Sequence, residues 1–245
     1  MAIRLLPFRD YDEHDVVNLF RSAGTLDKFI DLSDAAKRST PEGDAGVFVK
    51  VLAGDLTGDW DPVDVTSNPA SLLGKTNYPH VGRNTYPQTA LAVEPTVAPG
   101  STANGDLVNQ SCIGITLRQT VARDENGENL LYNPVKKDEL FGVLPGEAVP
   151  VLSKGMVTLT EDCFAPDGAT PPAPIVGAVG QLLEIADNGQ VTPVDRDSTT
   201  GAQVVGQILA VGDRDDNAGS QGGTNVFGNA GYQTGKYYIV KIDCA

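Results

Sequence analysis

The chain has 245 residues, 40% of them hydrophobic and 20% charged, which is enough to bury a core and excludes wholesale disorder. The 32 acidic and 18 basic residues give a net charge of −14. That balance argues against nucleic acid or an anionic membrane surface as a direct partner, because both need cations to meet phosphate.

Glycine (27) and proline (16) are frequent, a mix that suits short strands joined by turns. Residues 1–10, MAIRLLPFRD, read as extended, because Pro7 restricts its predecessor and donates no hydrogen bond. The apolar patch there is too short for a signal peptide, and no run approaches the ~18 apolar residues that span a bilayer. Asp12 then caps a predicted helix over 13–23, with Asp15 in its first turn and Gly24 at its end. Val16, Val17, Leu19 and Phe20 give that helix one apolar side, which must dock on the body of the protein or on another subunit. Residues 25–42 form a connector anchored by Leu26, Phe29, Ile30 and Leu32.

Strands are predicted over 47–52 and 88–94, separated by turn-rich sequence that holds the only tryptophan, Trp60. The segment 112–121, CIGITLRQTV, reads as one β-branched strand with Gly114 marking a bulge. Asn126-Gly127 suits a tight turn, with 130–132 as the return strand. Residues 141–162, FGVLPGEAVPVLSKGMVTLTED, read as a hairpin of AVPVL and MVTLT joined at Ser153-Lys154-Gly155. After a Pro-rich crossing, 178–186 and 190–194 form a second hairpin around Asp187-Asn188-Gly189. Strands over 202–211 and 236–243 flank a long Gly/Asn loop.

Motifs for site chemistry are absent or fail on spacing. GYQTGKY at 231–237 lacks the first glycine of a phosphate loop, has Tyr237 where a Ser/Thr is needed, and leads into a strand. The acidic turns, such as Asp124, Glu125 and Glu128, do not have EF-hand spacing. His14 and His80 have no catalytic partners nearby in sequence. Cys112, Cys163 and Cys244 are odd in number and widely spaced, so they read as free thiols of a protein made in a reducing compartment. No catalytic residue, cofactor or metal is expected.

The run PGEAVPVLSKGMVTLTED, then VGAVGQLLEIADNGQVTPV, VVGQILAVGD and YYIVKI, resembles the head decoration, or cement, proteins of tailed bacteriophages. The opening MAIRLLPFRDYDEHDVVNLFRSAG is similar to virion proteins in which an extended arm precedes the folded body. The resemblance implies an all-β fold, an antiparallel β-barrel (β-tulip-like or related) with an N-terminal arm and one short helix. Residues 1–42 would be arm and helix, and 43–245 the barrel body, with any division into two sub-barrels near 142.

The implied function is non-enzymatic: binding the outer capsid surface and fastening the major capsid protein lattice. The implied partners are the major capsid protein and the chain itself, as a homotrimer. Candidate contacts are Ile3, Leu5, Leu6, Phe8 and Arg9 of the arm, Val16, Val17 and Phe20 of the helix, and the loop 217–235. Packing within the chain is the alternative for each of them. Removing residues 1–24 is expected to leave the body folded. A tail, neck or baseplate position is the alternative within a virion. A carbohydrate-binding or hydrolytic β domain is the alternative outside one, and 6% aromatics with a single tryptophan count against sugar stacking.

Overall fold

The computed structural model describes residues 4–22, 29–53, 91–97, 111–166, 176–198, 202–213 and 236–244. The strands before the one short helix among the described residues are β1 (Leu5–Asp10), β2 (Val16–Ser22), β3 (Ile30–Asp31), β4 (Phe48–Ala53), β5 (Leu91–Pro95), β6 (Cys112–Thr116) and β7 (Gln119–Arg123). The helix is α1 (Pro134–Glu139). After it come β8 (Gly142–Val143), β9 (Val149–Leu152), β10 (Lys154–Thr160), β11 (Leu182–Ile185), β12 (Val191–Val194), β13 (Val204–Asp213) and β14 (Lys236–Asp243).

The strands make a closed barrel in the order β2-β5-β4-β6-β9, a six-stranded sheet β1-β10-β14-β13-β11-β12, and a small sheet β3-β7-β8. The protein is therefore mostly β with a closed five-stranded barrel, as its turn-punctuated sequence leads one to expect. The six-stranded sheet is antiparallel throughout. In the barrel, β2 and β5 run parallel and the other pairs antiparallel. Strands from both sides of residue 142 contribute to the barrel and to the large sheet alike.

The helix predicted over 13–23 is not there. Asp12 does act as a cap, its carboxylate accepting from the His14 N–H at 2.9 Å, but the turn it starts is a 3-10 turn over Glu13–Asp15. From Val16 the chain is strand β2, held between β5 and β9. Adjacent β-branched residues at Val16 and Val17 favour extended backbone, and the barrel needs this strand to close. The helix that does form, α1, lies where none was expected. Asn133 caps it and Pro134 opens it.

The 141–162 segment also departs from expectation. Its two strands do not pair with each other. β9 pairs with β2 and β6 in the barrel, and β10 with β1 and β14 in the large sheet. Only Ser153 separates them, too little for a hairpin loop, so the chain bends and changes sheet. Gly155 permits the bend: a Cβ there would lie 2.6 Å from that of Tyr11, and its φ is +147°.

The 112–121 segment likewise divides, at Leu117 and Arg118, between barrel strand β6 and small-sheet strand β7. The expected bulge does fall at Gly114, where partners jump from Val49↔Gly114 to Lys50↔Cys112. The predicted return strand is instead a 3-10 turn, Leu130–Tyr132.

The second hairpin forms as predicted, with Leu182↔Val194 to Ile185↔Val191 paired. Asn188 and Gly189 take the left-handed conformation at its tip, φ 58° and 68°. A Cβ on Gly189 would sit 2.2 Å from a Val47 methyl, so glycine lets this tip press on the barrel. One continuous core joins barrel and sheet, with Phe48, Ile115 and Leu152 packing with Leu159, Ile208 and Val240. Each such side chain contributes about 1.5–3 kcal/mol by burial. A second cluster fills the barrel around Val49, Val93 and Val151, and a third lies under the small sheet around Ile30, Val121 and Leu144.

Candidate functional site

Among the described residues β1 is the edge strand of the large sheet, and an open groove of about 1300 Å³ runs along it. No residue of β10 lines this groove, so it opens on the unpaired side of β1. Its opposite wall is the 117–119 turn together with residues between Leu140 and Pro150.

An unpaired edge normally offers a ladder to an incoming strand. This one is blunted. Pro7 has no N–H, the pairing with β10 shifts register between Leu5 and Arg9, and the Arg9 Nε donates to the Leu6 carbonyl at 3.2 Å. Arg9 also reaches the Leu117 carbonyl through Nη1 at 3.4 Å, tying β1 to the facing turn. The groove therefore suits docking of side chains rather than addition of a strand.

The floor holds a buried ionic cluster. Arg4 Nε lies 3.3 Å from Asp44 Oδ2, within ion-pair range but not aligned as a hydrogen bond. Asp44 accepts from the Ser39 hydroxyl and from the Ala45 N–H. Burial pushes its carboxyl above the ordinary value, outweighing the pull of Ser39 and Arg4 in the other direction. The Cys163 thiol donates to the Arg4 carbonyl at 3.2 Å, and burial raises it far beyond any nucleophilic range.

The rim carries aromatic and cationic side chains beside one exposed carboxylate, Asp10. Phe141 is 72% exposed and Tyr11 is 36% exposed. Arg118 is exposed and has no hydrogen bond or ion pair among the described residues. Phe141 has φ +49° just past the end of α1, a place where glycine is the usual occupant. Gln119 and Glu147 brace this wall. Gln119 Nε2 donates to the Leu140 carbonyl at 2.8 Å, and Glu147 takes the Leu144 N–H at 2.7 Å while pairing with Lys137.

The predicted contact residues divide. Leu5 is buried in the main core, and Phe20 and Val17 pack in the barrel, so these serve the chain's own fold. Val16 packs against the main core and also borders the groove. Leu6 and Arg9 line the groove, and Phe8, on the same strand, is 59% exposed. Ile3 and the 217–235 loop lie outside the described residues, as do Trp60 and His80. The sequence reading missed Tyr11, Arg118 and Phe141. Only an aromatic residue at a helix end, where glycine is usual, could have flagged Phe141, and that helix was not foreseen.

Among the described residues, no three His, Cys, Asp or Glu side chains converge to hold a metal. The Asp124 turn is occupied by its own chain: the carboxylate accepts from the Asn126 and Glu128 N–H groups. Glu125 pairs with Lys136 at 2.8 Å, which lowers the Glu125 pKa. Among the described residues no helix is long and apolar enough to cross a membrane.

No protein-family model, curated protein or solved structure matches this chain. The resemblance to decoration proteins thus rests on strand pattern alone, and function has to be argued from the groove.

Proposed function

We propose that this chain is a non-enzymatic virion structural protein that decorates the outside of a tailed-phage capsid and fastens the major capsid protein lattice. The observation that carries this reading is the groove beside β1, rimmed by exposed Phe141 and Tyr11 and by Arg118, which has no hydrogen bond or ion pair among the described residues. Such a surface is fitted to hold another protein, since aromatic and arginine side chains dominate binding energy at interfaces. Arg118 selects a partner surface that offers carboxylates, while the net charge of −14 keeps unbound copies apart. Many weak contacts, repeated over a lattice and joined in a trimer, add to a durable attachment.

The test is co-sedimentation of the purified protein with expanded capsids, with copies per particle counted. Saturation at a number set by capsomer positions is the expected result. Phe141→Gly and Arg118→Glu should each weaken binding about tenfold or more while leaving the fold intact. No binding to capsids overturns the proposal. Copies matching tail or neck rings would move the protein to that part of the virion.

A further inference from the structure

Cys112 opens barrel strand β6, and Cys244 follows the last strand of the large sheet. They are 132 positions apart in sequence, yet their sulfurs lie 3.9 Å from each other. Both are free thiols, Cys112 buried and Cys244 partly exposed. We propose that Cys112 and Cys244 form a redox latch: a disulfide that closes on exposure to an oxidant and ties the C-terminal end to the barrel.

The two residues are held in place by backbone bonds made independently of the sulfurs. The Gln203 side chain brackets Cys112, accepting from its N–H and donating to its carbonyl at 3.2 Å. The Cys244 N–H donates to the Ser153 carbonyl at 3.0 Å. A disulfide needs the sulfurs at roughly 2.05 Å.

Exposure orders the chemistry. A small disulfide such as oxidised glutathione meets Cys244 first. The Cys244 thiolate attacks one of its sulfurs, forming a mixed disulfide and releasing one glutathione thiolate, which takes up a proton. Cys112 then loses its proton, attacks the Cys244 sulfur and expels the second glutathione. The two protein thiols give up two electrons and two protons, and one glutathione disulfide becomes two glutathiones. Burial raises the Cys112 thiol and screens it from outside reagents, while the Cys244 sulfur lies 3.9 Å away within its reach. Cys163 has no cysteine partner among the described residues and stays reduced.

A closed latch fastens the sheet to the barrel across most of the chain and so restricts the unfolded state. The latch does not depend on the capsid reading. It requires only that the protein pass from a reducing to an oxidising setting.

The test uses the full chain, folded, with glutathione disulfide as the oxidant. Free thiols are counted after denaturation, and cross-linked peptides are mapped by mass spectrometry. Wild type should fall from three titratable thiols to one, with a 112–244 peptide pair and a higher urea midpoint that reductant reverses. Cys163→Ser should still cross-link. Cys244→Ser should fold as wild type does and gain no stability on oxidation. Three surviving thiols, a lasting glutathione adduct on Cys244, or a dimer joined through Cys244 would each overturn the latch.

Discussion

Ser153 gives both its backbone N–H and its hydroxyl to the carbonyl of Asp15, each at 2.9 Å. Its own carbonyl accepts from Cys244. One residue thus joins the start of the chain, the crossing from barrel to sheet, and the C-terminal end. Ser153→Ala removes only the hydroxyl bond. It should cost about 1 kcal/mol, lowering the urea midpoint with the slope unchanged.

Removing residues 1–24 should unfold the protein, contrary to the expectation from sequence. The deletion takes away β1 and also β2, the barrel strand between β5 and β9. It exposes the core beside Val149 and Val151 and deletes buried Leu5 and Phe20. Loss of the cooperative melt in circular dichroism is the expected outcome. A truncated chain that still melts cooperatively would show that the barrel closes without β2.

Phe141→Gly separates binding from stability. Glycine relieves the left-handed backbone, worth about 1 kcal/mol, but it frees the unfolded chain by a similar amount. The melting midpoint should hardly move, while capsid binding falls with loss of the ring. A clear rise in stability with binding unchanged would mark Phe141 as simple strain. A residue held in a costly conformation with its ring in solvent is otherwise hard to account for by folding alone.

Asp44 makes part of the stability pH-dependent. Burial raises its folded-state pKa above 3.8, so the native protein keeps this proton longer than the unfolded chain does. Its contribution to stability is therefore fully present below 3.8 and is lost as pH rises through the raised value. Asn at this position cannot titrate. Urea melts across that window should show wild type losing ground against Asp44→Asn as pH rises. A constant difference between the two proteins would mean that Asp44 titrates alike folded and unfolded.

What the sequence made legible was local. The hairpin of β11 and β12 was readable because Asn188-Gly189 determines its turn within a few residues. β13 and β14 were readable from runs such as VVGQILAV and KYYIVKI. Partner choice was not readable. AVPVL and MVTLT look like a hairpin because each has strand composition, but whether neighbours in sequence pair depends on which other strands compete for their edges. Val16 to Phe20 has apolar spacing compatible with either a helix face or a strand, and barrel closure decided it. The groove was half legible. Leu6 and Arg9 were named from the arm, whereas Arg118 and Phe141 reach it from more than a hundred residues downstream.

The parallel pairing of β2 with β5 also constrains how the chain comes into being. During synthesis the segment from Val16 to Phe20 emerges early, but its partners are Leu91 and Val149, and Leu5 meets Leu159. The first residues made are thus among the last to be secured, because long-range pairing must await both partners. Until then a run of apolar side chains travels uncovered on the nascent chain. Slow refolding from denaturant, and losses to aggregation that grow with concentration, follow from that delay.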